Sequence, residues 1–452
     1  MAKEESKNTK KSASSSSRKS TSGGKTTNKK TTKSSSSSKR KKTTNTSPTA
    51  GDVVVSAVKA ASKSKSTAFR VIVLLLVIAI VALCVYGYFA GWFDAILHPA
   101  PSTPNDFNSE TYDVSKITAA DMSIHFLELG NKYTGDSIYI KAGDNDILID
   151  AGSRTSSIST IEKYVNQYCT DGKLEYVIAT HADQDHISGF AGDGTNKSLL
   201  ERFAVGTFID FALTNKDSTV YNNYKSQRER LESLDSTKVY TALECVRQQN
   251  GAQKVYQLTD NITMEVLEHK FYSEKGKDEN DYSVCLLFTQ GKDHYLLTGD
   301  LEKEGEESLV EMNPDLPQCV LFKAGHHGSK TSSNDCLLEK IKPQITCVCC
   351  CTGSDEYKAK PENTFPTQAF IDRISKYTAS VYCTSLANET DKGFESMNGN
   401  IVFAATANTT TVGENEYKMY FSNNDTKLKD TDWFKNNRTT PDAWKGKEEA
   451  AQ

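Results

Sequence analysis

Four potential metal ligands follow one apolar stretch of the chain. The segment THADQDH places His181, Asp183, Asp185 and His186 within six residues, directly after LEYVIA, which has the composition of a buried strand. A loop leaving a strand can turn successive side chains toward one point, which a regular helix or strand cannot do at this density. Imidazole nitrogens and carboxylate oxygens together suit Zn or Mn. A polar surface loop is the alternative interpretation, but these residue types favour a metal site.

Three more groups of this kind stand where later apolar segments end. Asp300 ends HYLLTGD, and the pair His326 and His327 directly follows CVLFKAG. Alone, Asp300 would be explained as a helix N-cap, and the His pair as ordinary structural residues. Because all of them follow apolar strands, we expect them to meet the first motif in one cleft, where the edges of two sheets converge.

The residues after the His pair could bind substrate. The Gly328 and Ser329 backbone, next to the Lys330 ammonium, offers hydrogen-bond donors for a phosphate oxygen. An ordinary helix cap at Ser332 or Ser333 is the alternative. We predict that Ser329 and Lys330 contact substrate.

The elements that must position these residues come in a regular order. MSIHFLELG, SIYIKA and DILIDAG alternate like half-buried strands, and SVCLLFTQ and HYLLTGD form a strand pair. Helix-like segments such as ISTIEKYVNQYC and EKEGEESLVEM lie between later strands. This order predicts two sheets packed face to face with helices outside. The segment ITCVCCCT is expected to be a buried strand with free thiols, with disulfides or a metal cluster as alternatives.

Three motifs carry a resemblance to a known family. HADQDH, LLTGDLEKEGEESL and KAGHHGSKTSS, in this order, resemble the metallo-β-lactamase superfamily and look most like the hydrolase domain of ComEC-type competence DNA-uptake proteins. The resemblance covers about residues 122–405. It implies an α/β (α+β) fold, a four-layer αββα metallo-β-lactamase sandwich, with two divalent metal ions at its rim. Zn is expected, Mn or Mg are alternatives, and no organic cofactor is expected.

The resemblance also implies how the ligands are shared. His181 and Asp183 would form the first metal site, and Asp185 and His186 the second, with Asp300 bridging the two. A hydroxide held by the metals would attack phosphorus or a carbonyl carbon.

One member of the His pair would complete the second site. We assign His326 as this ligand, and His327 as the group that binds the oxyanion or protonates the leaving group. The catalytic residues predicted in this way are Asp185 and His327.

Two features depart from the family pattern. The position of Asp183 is usually His, and the extra oxygen should shift the preference toward Mn or Mg. The family's third His has no clear counterpart, because only His269 and His294 lie in the interval before the bridging Asp. Asp210, in TFIDFAL, could substitute for it.

The chain begins with a basic arm. Met1–Arg70 holds 18 Lys and Arg and 3 acidic residues, a net charge of +15; the whole chain carries −4, so the remainder carries −19. Residues 1–68 contain too little apolar surface to fold and are predicted to be a disordered cytoplasmic arm. The arm would rest on anionic lipid heads, with nucleic-acid binding as the alternative.

An apolar segment follows the arm. Val71–Phe93 is 23 residues without a charge and ends in aromatic residues, which predicts a single transmembrane anchor over residues 69–93. The positive-inside rule places the N-terminus in the cytoplasm and the rest outside the cell membrane. We expect a linker over 94–119, the hydrolase domain over 120–423 and a disordered tail over 424–452.

These features favour a membrane-anchored, extracytoplasmic two-metal phosphodiesterase, possible substrates being DNA and cell-wall polymers. The acidic outer part would repel DNA unless Lys323, Lys330 and their neighbours form a basic groove. Hydrolysis of phosphodiester-linked groups on wall polymers is therefore an alternative, and a binding or sensor module with weakened catalysis is another. β-Lactam hydrolysis fits least well.

Overall fold

The computed structural model describes Leu75 and residues 109–356, 360–388, 393–408 and 414–445. The predicted basic arm, the first part of the predicted linker and, Leu75 apart, the predicted transmembrane segment lie outside this range. Within the described part of the chain, no helix has both the length and the apolar character needed to cross a membrane. The chain divides into two units, residues 1–93 and 94–452, and everything below concerns the second.

Nine strands form the first sheet, in the order β1-β17-β16-β2-β3-β4-β5-β6-β7. Strands β2 to β4 and β16 to β17 pair antiparallel, whereas β4 to β7 pair parallel. The strands are β1 (Ser109–Thr111), β2 (Met122–Phe126), β3 (Ile138–Ala142), β4 (Asn145–Ile149), β5 (Lys173–Ile178), β6 (Ala204–Asp210), β7 (Lys238–Thr241), β16 (Ile401–Ala407) and β17 (Asn415–Phe421).

Eight strands form the second sheet, in the order β15-β14-β13-β12-β11-β10-β9-β8. Strands β8 to β11 are an antiparallel meander, and β11 to β14 are parallel. The strands are β8 (Val255–Thr259), β9 (Ile262–Leu267), β10 (Cys285–Gln290), β11 (Asp293–Leu297), β12 (Leu321–Lys323), β13 (Ile345–Thr352), β14 (Val381–Ala387) and β15 (Phe394–Ser396).

Helices connect the parallel strands and flank the two sheets. The α-helices are α1 (Val114–Thr118), α2 (Ile158–Val165), α3 (Gln184–Ala191), α4 (Thr219–Glu232), α5 (Ala242–Arg247), α6 (Lys303–Met312), α7 (Asp335–Ile341), α8 (Gln368–Ile374) and α9 (Asp432–Asn437). Short 3-10 helices occupy Thr155–Ser157, Leu199–Glu201, Lys270–Tyr272, Glu279–Tyr282, Gly325–Gly328, Pro361–Asn363, Leu428–Asp430 and Asp442–Trp444.

The alternation of side chains along β10 shows how the sheets pack. Leu286 and Phe288 lie in the cluster shared with the first sheet, whereas Cys285 and Leu287 lie in a second cluster with α6, α7 and α8. Tyr295 of the second sheet packs edge-on against Phe403 of the first, with ring centroids 5.1 Å apart. The sheets therefore pack face to face, and helices cover the outer face of the second. The predicted mixed α/β sandwich of two sheets is confirmed.

The cysteine-rich segment is the buried strand β13, as predicted. Every residue of β13 is buried, with Cys347 and Cys349 facing the space between the sheets and Cys350 facing the helices. The ten cysteines in the described part of the chain are free thiols. Burial raises the pKa of the Cys347 thiol above its ordinary value, which keeps it protonated.

Two predicted boundaries differ from the structure. Residues 109–119, expected to belong to the linker, contain β1 and α1, and β1 adds a parallel strand to β17. Residues 424–445, expected to be a disordered tail, contain α9 and bury Phe434 and Trp444 in the helix-side cluster. Both segments are short and largely polar, and a few buried side chains hold them on the domain. Their overall composition therefore predicts disorder incorrectly.

Candidate metal centre

Helix α3 carries two of the predicted ligands in its first turn. The Asp136 amide donates to the Asp185 carbonyl (3.0 Å), and the Ala151 amide donates to the His186 carbonyl (2.7 Å). The Gly189 amide donates back to the Ala151 carbonyl at 2.9 Å. The loops beside β3 and β4 therefore hold the helix by its backbone and fix the direction of its first side chains.

Four buried side chains converge at this point: Asp185, His186, Asp300 and His327. One ligand atom of each lies within 4.8 Å of the others. His186 Nε2 is 3.1 Å from Asp300 Oδ2, and His327 Nε2 is 3.2 Å from the same oxygen. His327 Nε2 is also 3.4 Å from Asp185 Oδ2. We call these four residues the quartet.

The outer nitrogens of the two imidazoles set their tautomers. His327 Nδ1 lies 2.8 Å from the Cys349 carbonyl, which can only accept, so Nδ1 carries the proton. His186 Nδ1 lies 2.7 Å from Asp150 Oδ2, which orients that ring in the same way. In each neutral ring, Nε2 then directs a lone pair toward Asp300.

This arrangement fits a metal ion. Lone pairs on the two imidazoles repel the carboxylate oxygen they face unless a metal ion or a proton lies between them. His327 Nε2 is buried and makes no hydrogen bond. Two imidazoles and two carboxylates are a donor set suited to Zn, and also to Mn. The residues of the quartet could therefore hold one divalent ion.

The electrostatics of the quartet agree with that use. Burial raises the pKa of Asp300, but His186, His327 and Lys323 outweigh it and hold that pKa well below its ordinary value. Burial lowers the pKa of His186, but the Asp300 and Asp150 carboxylates outweigh it and raise that pKa well above its ordinary value. Without a metal ion, protons on the imidazoles balance the negative charge of the buried carboxylates.

Two supporting residues, Asp136 and Asp150, escaped the sequence analysis. A third, Lys323, was expected to line a basic groove, but it is buried and pairs with Asp136 and Asp300. Asp150 follows β4 with φ +57° and accepts hydrogen bonds from the Thr180 amide (2.8 Å) and hydroxyl (2.7 Å). Asp136 lies 3.2 Å from His327 Nδ1 and forms an ion pair with Lys323. Asp136 and Asp150 stand at the ends of the apolar segments GDSIYI and ILIDAG, as the first motif stands at the end of LEYVIA. That position was the signal available in the sequence.

The predicted first metal site is built differently. His181 is fully buried, and its Nε2 is 3.6 Å from Asp183 Oδ2 and makes no hydrogen bond. Asp183, about a quarter exposed, forms an ion pair with Lys216. Within the described residues, His181 and Asp183 belong to no group of three metal-type ligands.

The structure places the two members of the His pair differently. His327 is fully buried and joins the quartet, whereas His326 lies at the rim, with Nδ1 3.1 Å from Thr331 Oγ1 and 3.4 Å from Glu302 Oε1. Both residues have positive φ, +46° and +53°. This left-handed backbone is unusual for residues other than glycine, and it directs the two side chains differently from those of an extended strand. Of the two, it is His327 and not the predicted His326 that lies among the clustered metal-type side chains.

The suggested substitutes for the missing His lie elsewhere. Asp210 accepts a hydrogen bond from Tyr224 and pairs with Arg228 at 3.3 Å, and burial raises its pKa to about 6. His269 donates through Nε2 to the Ser283 carbonyl at 2.9 Å, and its ring lies tilted against that of Tyr272, with centroids 4.0 Å apart. Neither belongs to a ligand group among the described residues, and neither does His294.

The predicted substrate residues lie beside the quartet. Ser329 and Lys330 line a cavity of about 300 Å³ together with His326 and Phe365. The exposed Lys330 ammonium donates to Asn363 Oδ1 at 3.2 Å. The Ser329 amide is used within the fold, since it donates to the His326 carbonyl at 2.7 Å.

The match to a family of known proteins lies over the first motif. Residues 130–192 match the family model for the metallo-beta-lactamase superfamily. This match confirms the resemblance seen in the sequence over the part of the chain that holds the first motif.

Similar proteins include competence proteins. The chain is 26% identical over 252 residues to ComE operon protein 3 of Bacillus subtilis, covering 51% of this chain and 28% of that protein. It is 25% identical over 253 residues to competence protein ComA of Neisseria gonorrhoeae, covering 56% of this chain and 30% of that protein. The chain thus spans less than a third of either relative. Among solved structures, the metallo-beta-lactamase fold protein YhfI of Bacillus subtilis is 13% identical and covers 60% of this chain and 98% of its own, with a TM-score of 0.34.

Proposed function

We propose that this chain is a divalent-metal-dependent phosphodiesterase held at the cell membrane. The observation that carries the metal-dependent part is the quartet, in which two oriented imidazoles direct Nε2 at Asp300 Oδ2, 3.1 and 3.2 Å away. A divalent ion held there would supply a Lewis acid and lower the pKa of a water molecule.

The cavity next to the quartet supports a phosphodiester as the substrate. Its wall combines the Lys330 ammonium and the Ser329 and Thr331 hydroxyls with the Phe365 ring. The cation and hydroxyls would bind phosphate oxygens, and the ring would contact the organic group that the phosphate carries. His326 stands at the mouth of this cavity, where it would donate a proton to the leaving oxygen.

Two polymers are candidates for the natural diester substrate: DNA and a cell-wall polymer. The resemblance to ComEC-type competence DNA-uptake proteins favours DNA, and DNA is the substrate we propose. The charge of −19 on residues 71–452 favours a shorter or less charged wall-polymer diester.

Hydrolysis by the purified full-length chain in mild detergent tests this function. The assay would compare bis-p-nitrophenyl phosphate, single-stranded DNA, double-stranded DNA and a glycerol-phosphate wall polymer, each with Zn²⁺, Mn²⁺ or Mg²⁺. We expect cleavage of the model diester and of DNA, abolished by chelation and lowered at least 100-fold in Asp300→Asn or His327→Ala. His294→Ala, which removes a half-buried imidazole away from the quartet, is the matched control and should retain full activity.

The outcomes separate the alternatives. Cleavage of the wall polymer but not of DNA would support the wall-polymer function. Metal binding without cleavage of any diester would replace catalysis by a binding or sensory role. Equal activity in wild type and Asp300→Asn would overturn the assignment of the quartet.

Membrane attachment is a separate part of the proposal. The 23 uncharged residues of Val71–Phe93, flanked by the basic arm, support an anchor that places the hydrolase domain outside. We expect the protein to remain in membranes after an alkaline carbonate wash, and external protease to digest the hydrolase domain in intact cells. Deletion of residues 69–93 should release the protein from membranes. Protection of the domain from protease would reverse the proposed orientation.

A further inference from the structure

Two lysines lie against the carboxylates of the metal centre. The Lys216 ammonium forms an ion pair with Asp183. The Lys323 ammonium, almost fully buried, lies 3.1 Å from Asp300 Oδ1, donates to the Gly299 carbonyl at 2.8 Å and forms an ion pair with Asp136. Lys216 therefore pairs with a carboxylate expected in the first metal site, and Lys323 pairs with the carboxylate expected to bridge two metal ions.

The two oxygens of Asp300 face different cations. Oδ2 lies near the Nε2 atoms of His186 and His327, whereas Oδ1 lies near the Lys323 ammonium. Because Lys323 is buried, a metal ion that displaced it from Asp300 would leave a desolvated ammonium with Asp136 as its one remaining carboxylate partner. Asp300 is therefore arranged to offer one oxygen to one metal ion.

The ligands left for a second ion are few. A metal site usually has at least three protein ligands. His181 supplies Nε2, which lies 3.6 Å from Asp183 Oδ2, but Lys216 already pairs with Asp183 Oδ1. No third metal-type side chain among the described residues joins His181 and Asp183. A second ion would have to share its only carboxylate in that position with an ammonium, and the charge of that carboxylate is already balanced.

We propose that the centre binds one divalent ion, at the quartet, and that the Lys216 and Lys323 ammonium groups replace a second ion. The proposal rests on the proposed metal-dependent function of the quartet. Lys323 fixes the bridging-type carboxylate in one orientation. Lys216 holds the charge of Asp183 and leaves the His181 side of the cavity without a bound metal.

Metal stoichiometry tests the proposal directly. Full-length protein in mild detergent, stripped with a chelator, would be titrated with Mn²⁺ alone and followed by electron paramagnetic resonance and by metal analysis. We expect one tightly bound equivalent per chain, with the six-line spectrum of an isolated Mn²⁺. His186→Ala should weaken this equivalent at least 10-fold.

A lysine substitution gives the sharper test. Lys216→Ala combined with Lys323→Met frees Asp183 and Asp300 Oδ1, which together with His181 would give three ligands. We therefore expect this double variant to add a second Mn²⁺ equivalent and the broadened spectrum of a magnetically coupled pair. Lys225→Ala is the matched control, because Lys225 is exposed and forms only a long ion pair with Glu229 on α4. That variant should keep one equivalent.

Each other outcome contradicts the proposal. Two equivalents of similar affinity with a coupled spectrum in the wild type would overturn it, as would a second equivalent that His181→Ala removes. A double variant that folds and still binds one equivalent would show that the two lysines do not exclude the second ion. These readouts are independent of the proposed function, since one bound ion without diester cleavage would leave the stoichiometry intact while refuting the activity.

Discussion

At the residue scale, the metal centre is a set of side chains whose outer atoms are already engaged. Cys349 and Asp150 hold Nδ1 of His327 and His186, so the rings cannot turn to present another nitrogen. Carboxylate or carbonyl partners of this kind fix the tautomer of a metal-binding imidazole and raise its basicity. Metal affinity should therefore depend on residues that never touch the metal.

Asp150→Asn tests this dependence. Asp150 Oδ2 accepts from both His186 Nδ1 and the Thr180 hydroxyl, and an amide cannot replace both its charge and its acceptors. We expect metal affinity to fall about 10- to 100-fold, measured by competition with a chromophoric chelator. Circular dichroism should show that the fold is retained. An unchanged affinity in a folded variant would mean that Asp150 does not orient His186.

The ligand types could be predicted from the sequence, but the choice between His326 and His327 could not. Their chemistry is identical, and the choice depends on two consecutive positive φ angles after β12. Asp136, Asp150 and Lys323 gave a weak signal, because a buried charged residue is recognisable only when its partner across the fold is known.

At the scale of elements, the close contact of α3 with the residues after β4 positions the first motif. A side chain at Gly189 would place its Cβ 2.4 Å from the Ala151 carbonyl oxygen and 2.9 Å from the Ala151 Cβ. Only glycine allows this approach, and the approach brings His186 within reach of Asp150.

Gly189→Ala should push α3 away from the sheet. We expect a loss of about 1–3 kcal/mol in the free energy of unfolding, measured by urea denaturation, together with weaker metal binding. Gly194→Ala is the control, since a Cβ at Gly194 meets no atom within 4 Å. Equal stability of the two variants would refute a tight contact at α3.

The loop that carries the His pair is held by Glu306 of α6. This fully buried carboxylate accepts hydrogen bonds from the Ser333 amide (2.6 Å) and the Asn334 amide (2.9 Å) and side chain (2.8 Å). Burial nevertheless raises its pKa from 4.5 to about 7. The folded protein therefore binds more protons at this site than the unfolded chain between those two pH values.

This shift predicts a pH dependence with a definite sign. The contribution of Glu306 to stability falls as pH rises from 4.5 to about 7, because ionisation is then harder in the folded state. Relative to wild type, Glu306→Gln should gain about 3 kcal/mol in its free energy of unfolding across this range. Urea denaturation of both proteins at several pH values measures the difference. A difference that does not change with pH would contradict the shifted pKa.

At the scale of the whole molecule, hydrophobic alternation was enough to predict the sandwich. Strands such as β2, β3 and β10 alternate or are fully apolar, and the run CVCCC could only be a buried strand. The pattern failed at the ends, where β1 and residues 424–445 look polar. In these segments single side chains reach a core made by distant parts of the chain, which local composition does not reveal.

Trp444 is the residue that most clearly ties the C-terminal segment to the domain. It is 8% exposed, its Nε1 donates to the Thr378 carbonyl at 2.9 Å, and its ring lies 5.7 Å from that of Phe434. Trp444→Ala removes a large side chain from the helix-side cluster and leaves the carbonyl without its donor. We expect a loss of about 3–5 kcal/mol, seen as a lower Tm. Lys445→Ala, which removes only an exposed ion pair with Asp442, should change stability by less than about 0.5 kcal/mol. If both variants melt with the wild type, residues 424–445 contribute nothing to the stability of the domain, and the sequence-based expectation of a disordered tail would describe its behaviour in solution.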